Sequence, residues 1–475
     1  MIWKKITGYP LIFCSIVQIL AGCYNLLWPS DGCNAFLYHM NYIVWALIML
    51  SLLDNLIDNF LLFSFYGCFF IFLMGQKIFM PRHDEFLTFV LTTLDTEQYA
   101  VFLMILAIGI VTPYYTARYF LTRAHKKQEA ADRLMPEKEP YTVSPFFMQA
   151  LWLCFFMTLP FAFYMELKVA IVRSSYLYTD GYMVNVDIPS IVKIMNYLFL
   201  AFTMLLLAVH PPKKQAFFVL AVYFILQGGV QLIQGRRAMF AVSFLFLIWY
   251  LIKYFRIEHL KAGYVVTMLA AGLCIVGLFW VVGITRSNGD ISQASPLHFI
   301  QDFMISTGGS DSLIANTIVQ KDNLPGMGIS YMLDPVVNNP LTVILTGKGG
   351  IIQGEHYIQA FHSLSHWISY LTNDVLYSSG YGMGSSYLAE AYVALGLAGV
   401  FICSVILGKC IAVLSGLHFG QNIFVLALSF ILVRYLFVVP RSDFLGWFGE
   451  FTYFVIGAVP FWLIAHTSIK NENSI

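Results

Sequence analysis

The chain has 475 residues, 59% of them hydrophobic and only 11% charged, with a formal net charge of +1 and a mean hydropathy of +0.72. That composition excludes a soluble domain and offers no basic excess that would point to nucleic acid. Apolar stretches of about 20 residues recur along the whole length, so the spanning elements are helices and not barrel strands. The fold class is all-α, a polytopic integral membrane helix bundle of about 12 spans.

In chain order, the basic start of "MIWKKITGYPLIFCSIVQILAGCYNLLW" is signal-like, but its apolar stretch is too long and lacks a small-residue cleavage site. It reads as a retained first span. The apolar windows fall at residues 10–28, 36–54, 58–75, 99–120, 145–164, 188–209, 216–234, 238–255, 262–284, 385–408, 421–438 and 449–467. Three regions follow: an N-terminal membrane bundle, 1–284, of about nine spans; a large loop, 285–384; and C-terminal spans, 385–475, about three in number. The 8 cysteines show neither metal spacing nor a disulfide framework.

Lysine and arginine orient these windows. Lys4 and Lys5 precede the first span, and "TRAHKKQEAADRLMPEKEP" follows the fourth. Both should be cytoplasmic, as should "HPPKKQ", "KYFRIEHLK" and Lys470, which places both termini in the cytoplasm. The opposite face then carries residues 76–98, 165–187, the "QGRR" turn and the long segment from "GITRSNGD" to "SSGYGMG". That segment holds four histidines, and "PLHFIQDFMIS" and "HSLSHWISYLTN" suit short amphipathic helices, so it should be a folded cap.

Arg236, Arg237, Arg286, Arg434 and Arg441 all land at or near this outer face, against the charge rule, and Arg434 sits within an apolar run. A basic residue at membrane depth costs several kcal/mol, by insertion scales about 2.5–3.5, and faces a cavity or an anionic partner. Asp290, Asp302, Asp311, Asp374, Glu390 and Asp443 could be those partners. Four helix ends that each bring a guanidinium to one face also suit a phosphate, whose oxygens the fork geometry matches. The phosphate or pyrophosphate of a lipid is the anion most available there.

His362 and His366 are spaced i, i+4, which would put them on one helix face. The spacing is that of zinc ligands, but no glutamate completes the metalloprotease pattern. Either imidazole is a polar contact or a general base for a sugar hydroxyl. Gly380, Gly382 and Gly384 lead into a helix with Ser385 or Ser386 as N-cap; the turn either cradles phosphate or makes a tight re-entry into the membrane. Glu390, one turn inside, should pair with an arginine, and Gly396 and Gly399 should allow close helix packing. Lys168 and Arg173 lie among tyrosines that either form an aromatic belt or stack on sugars.

"GRRAMF", "GITRSNGD" and "HWISYLTNDVLYSSGYGMGSSYLAEAYVALGLAGVFICSVILG" together resemble the Wzy-type O-antigen polymerases of Gram-negative inner membranes. The likeness is strongest over the last stretch and extends from about residue 216 to 408; the N-terminal half matches only in hydropathy and topology. It implies a GT-C-like inverting glycosyltransferase; the long loop lacks Asp-rich divalent-metal motifs, so no metal is expected, and no cofactor is expected either. Such an enzyme moves a growing glycan from undecaprenyl pyrophosphate onto the non-reducing end of a new lipid-linked repeat unit at the periplasmic face. On matching positions the arginines are Arg237 and Arg286 and the loop histidine is His366, with Arg236 and His362 as near neighbours; Arg434 follows from burial and side alone. Implied partners are the lipid-linked oligosaccharide as donor and acceptor, membrane lipid, and a chain-length regulator and a flippase of the same pathway. The rivals are an O-antigen ligase and a lipid-linked oligosaccharide flippase. One dominant outer loop without an internal repeat weighs against the flippase.

Overall fold

The computed structural model describes residues 2–79, 94–132, 143–174, 186–257, 307–348, 353–419 and 421–472, with the single positions 277, 304 and 351. All regular structure among them is helical. The helices are α1 (Ile2–Leu27), α2 (Asp31–Leu52), α3 (Phe60–Leu73), α4 (Gly75–Phe79), α5 (Thr96–Asp132), α6 (Pro145–Ser174) and α7 (Ser190–Ala208). Next come α8 (Lys213–Phe224, continuing to Ile233), α9 (Arg237–Tyr254), α10 (Ser310–Gln320), α11 (Gly328–Val337), α12 (Pro340–Leu345), α13 (Glu355–Ala360), α14 (Leu364–Thr372) and α15 (Asp374–Ser378). The chain closes with α16 (Tyr387–Ser415), α17 (Ile423–Leu436) and α18 (Phe448–Glu472).

Among the described residues nine helices, α1, α2, α5 to α9, α16 and α18, are long and apolar enough to cross a membrane, and α3 and α17 are shorter apolar helices. These eleven lie on eleven of the windows expected from hydropathy; the window 262–284, apart from the single position 277, falls outside the described residues. The apolar faces point both ways. Ile12, Phe13, Ile16 and Leu20 on α1, Leu153, Phe156 and Met157 on α6, and Trp462 and Leu463 on α18 are all exposed. That outward display is stable only in hydrocarbon. Between helices, polar side chains supply the contacts lipid cannot: Asn25 Nδ2 donates to Asn34 Oδ1 at 2.7 Å, and Asn41 Nδ2 to the Leu103 carbonyl at 3.2 Å, joining α1, α2 and α5.

Two groups of helices result. One gathers α1, α2 and α16 around α5, whose spanning window is 78% buried. The other gathers α6, α17 and α18 around α7, with α8 and α9 alongside. The apolar helices alternate in direction from α1 to α9 and again from α16 to α18. At one end Lys253 Nζ, from the last turn of α9, donates to the Ser415 carbonyl at the end of α16, 2.7 Å away. At the other end lie the starts of α2, α5, α7, α9 and α18, the ends of α3, α6, α8 and α17, and the helices α10 to α15. Here Asp311 of α10 is buried and pairs with Lys77 of α4 at 3.4 Å.

Helix α16 is broken in the middle. Leu395 leaves helical geometry, and Gly396 adopts φ 63° and ψ −150°, a region open in practice only to glycine. Gly399 then sits so close to the Ala391 carbonyl that a Cβ would lie 2.1 Å from its oxygen. The two glycines therefore serve a kink within one helix, not the packing of two helices as the small-residue spacing suggested. Gly328, which opens α11, rests against the Val393 backbone at this kink.

Candidate functional site

Two polar clusters form at the end where α10 to α15 lie, one on each side of the last turn of α17. The first starts from α8. Gly228 and Gly229 fall in a π-helical turn, Ile225–Val230, whose extra residue re-aims the helix that follows. Gln231 and Gln234, spaced i, i+3, then share a face and reach Glu166 on α6. Its Oε2 accepts from Gln231 Nε2 at 2.7 Å and Gln234 Nε2 at 2.8 Å, and its Oε1 from Asn196 Nδ2 of α7 at 3.2 Å. All four residues are buried. Arg236, exposed in the turn between α8 and α9, donates from a terminal nitrogen to Gln231 Oε1 at 3.3 Å, and with Arg173 it offsets the Glu166 charge.

Arg434 extends this cluster inward. It is 2% exposed; its Nε donates to the Tyr223 hydroxyl at 2.7 Å and a terminal nitrogen to Glu450 Oε2 at 2.9 Å. Ser243, which lies 3.4 Å from the Tyr223 hydroxyl, donates to the Gln227 carbonyl in the π-helical turn. Tyr197 and Tyr453 stack beside the same cluster, 4.4 Å between centroids. The sequence assigned Arg434 to a phosphate and left its carboxylate open; in the structure that partner is Glu450, not Glu390. Glu166 and Glu450 were both missed. Each stands at the edge of an apolar window, and an acidic residue inside a window is the signal that singled out Glu390.

The second cluster surrounds His366 on α14. Its Nδ1 lies 2.9 Å from the Tyr377 hydroxyl, and Tyr357 lies against its ring at 4.5 Å. Burial pushes the imidazole down to about 4, opposed by the Asp443 carboxylate that faces it, so the ring is neutral at physiological pH. Asp334 of α11 accepts from Asn338 Nδ2 at 2.7 Å and from the His362 backbone N–H at 2.8 Å, and burial raises its carboxyl above the ordinary range. Glu390 accepts the Phe444 N–H at 2.8 Å and meets the Asp443 carboxyl, in place of the arginine expected for it. Tyr435 bonds Ser442 Oγ at 2.6 Å and so turns away from the side its neighbour Arg434 takes.

His362 and His366 do not share a helix face. Ser363 is extended and α14 begins at Leu364, so His362 stands exposed ahead of the helix, held by its backbone to Asp334. Of the other predicted residues, Lys168 Nζ donates to the Asp187 carbonyl, and Arg441 donates to the Thr307 carbonyl at 3.0 Å and lies over Phe72. Arg237 is the first residue of α9, beside Arg236. Arg286, Asp290 and Asp302 lie outside the described residues. In the "GYGMGSS" turn the Met383 N–H is spent on Ser369 Oγ at 2.9 Å, and a Cβ on Gly384 would lie 3.1 Å from Arg441 Nε, so glycine there admits the arginine. Ser386 is the N-cap residue of α16, without a side-chain capping bond. Among the described residues no three His, Cys, Asp or Glu side chains converge as metal ligands.

Fold and clusters together define a multi-pass membrane protein with a polar site at one end of its helix bundle, guanidinium groups to one side and a neutral imidazole to the other. The family follows from comparison: the chain belongs to the O-antigen polysaccharide polymerase Wzy family, whose model matches residues 10–472, nearly its whole length. Its role is accordingly that of a polymerase in O-antigen synthesis, acting on lipid-linked oligosaccharide repeat units. No curated protein and no solved structure matches the chain.

Proposed function

We propose that the protein is an inverting glycosyltransferase that moves the growing glycan from undecaprenyl pyrophosphate onto the non-reducing end of a newly delivered lipid-linked repeat unit. The site faces the periplasm of the bacterial inner membrane, with both termini cytoplasmic. The observation that carries this reading is the pairing of the two clusters across α17, with Arg434 turned to one and Tyr435 to the other.

The donor pyrophosphate binds Arg236, Arg237 and Arg286. Arg434, balanced by Glu450, braces the cluster from behind. The acceptor hydroxyl attacks the anomeric carbon of the donor; the bond from that carbon to the pyrophosphate oxygen breaks with inversion, and the electron pair leaves with the lipid pyrophosphate. Guanidinium groups stabilise the charge that develops there, in place of a divalent metal. The hydroxyl proton passes to His366. In the tautomer whose Nδ1–H is donated to Tyr377, the Nε2 lone pair is open to it, and Asp443 stabilises the imidazolium formed. A flippase supplies the repeat units and a chain-length regulator sets the product.

The test is a gel of surface glycan from a strain lacking the gene, complemented with wild type or His366→Ala. Core capped by a single repeat unit in the deletion strain, with a ladder restored by wild type alone, supports the reading. Uncapped core with polymer left on undecaprenyl pyrophosphate would make the protein a ligase, uncapped core without such polymer would return the flippase, and an unchanged ladder would remove all three readings.

A further inference from the structure

Glu166 is a carboxylate held inside a membrane bundle, and among the described residues it has no salt bridge of its own. Three amide groups surround it, from Asn196, Gln231 and Gln234, yet an amide donates a hydrogen bond and no charge. The positive charges that offset it are those of Arg236 and Arg173. A buried carboxylate in such a place is expensive, and a neutral glutamine would satisfy two of those donors less well while removing the cost of the charge.

Gln231 gives the arrangement a direction. Its NH₂ group donates to Glu166 Oε2, which leaves its carbonyl oxygen facing the other way, and that oxygen accepts from Arg236. A glutamine amide is free to flip in general; here only one orientation satisfies both neighbours. Gln234 fastens the same stretch a second time, donating to Glu166 Oε2 and to its backbone carbonyl at 3.1 Å. The turn that carries Arg236 and Arg237 is thereby anchored to α6 through Glu166, immediately after the π-helical turn that bends α8 toward it. Arg236 is exposed, so the guanidinium whose one edge is tied to Gln231 presents the rest to the outer face.

We infer that Glu166 is a positioning residue for the anion-binding arginines: through Gln231 it aims Arg236 at a lipid-linked pyrophosphate and supplies the counter-charge that keeps the arginine there before the substrate arrives. This rests on the arginines binding pyrophosphate, as proposed above. Glu166 itself touches no substrate, and its effect on binding must travel through Arg236.

The experiment is a double-mutant cycle on the full-length protein in lipid nanodiscs, read as the Kd for undecaprenyl pyrophosphate. Arg236→Ala should weaken binding about tenfold or more, the scale of one charge-assisted hydrogen bond. Glu166→Gln should weaken it about three- to tenfold in the wild-type background and not at all in the Arg236→Ala background, since a residue acting through another has nothing left to act on. Gln231→Met, which cuts the relay and leaves Glu166 its other two donors, should reproduce the loss even if Glu166→Gln folds poorly. An equal loss from Glu166→Gln in both backgrounds, or none from Gln231→Met, overturns the positioning role while the arginine site stands. No change from Arg236→Ala, with Arg237→Ala also silent, overturns the pyrophosphate reading and the role of Glu166 with it.

Discussion

The Arg434–Glu450 pair allows a prediction worked from its geometry. The guanidinium side chain is 2% exposed and the carboxylate 24%, and their nearest atoms are 2.9 Å apart. Removing one member of a buried pair strands the other, at about 3–5 kcal/mol. The two halves are unequal. Glu450→Leu leaves Arg434 in the interior with Tyr223 alone and should cost the full amount, whereas Arg434→Met leaves a carboxylate already in part hydrated and should cost about 1–3 kcal/mol, toward the surface-pair limit. The double variant removes both charges and should be far less destabilised than Glu450→Leu; with the double variant near wild type, the coupling approaches the sum of the two single losses, about 4–8 kcal/mol. Thermal unfolding of the purified protein in detergent orders the variants: Glu450→Leu least stable, Arg434→Met next, the double variant close to wild type. Additive losses, or a double variant worse than either single one, would refute the claim that the two charges balance each other.

Arg237→Ala and Arg286→Ala should abolish polymer while leaving insertion intact, and Lys at either position should restore it only in part, because a point charge cannot reproduce the forked contact; full-length polymer from either alanine variant in a complemented deletion strain would remove that arginine from the site. His366 must be neutral to accept a proton, and burial holds it down to about 4, so the rate in proteoliposomes should stay level as pH falls through 6.5 and drop only near the lowered value. A limb centred at the ordinary histidine value would show that the ring is not held as described. Gly396→Ala should lower stability by about 1–3 kcal/mol, since alanine resists the positive φ at the kink; an unchanged unfolding temperature would mean that α16 straightens at no cost.

The bundle was legible because hydrocarbon imposes a length on every helix, and each window among the described residues has its helix. Pairing was not. Position along the chain brought Glu390 close to the arginines, yet Arg434 found Glu450, sixteen residues on, because α17 and α18 meet at the same end after a tight turn. Glu166 was hidden for a related reason: it lies just past the window 145–164, where a charge looks like ordinary loop, and only the fold brings Gln231 and Gln234 to it from 65 and 68 residues away. The i, i+4 histidines failed at a boundary, since Ser363 is extended, the helix starts only at Leu364, and His362 is left outside it.

Helices α3 and α17 have 14 residues each. At 1.5 Å per residue such a helix rises about 21 Å, some 9 Å less than a hydrocarbon core of about 30 Å. Both end at the polar clusters, α17 with Arg434 and α3 against the Val439–Arg441 turn. Both helices are mostly buried, so the shortfall lies inside the bundle, beneath α10 to α15, and not in the bilayer around it. The reaction would then take place in a depression below the general plane of the headgroups. A lipid carrier could bring its sugar down into that hollow without lifting its tail out of the membrane.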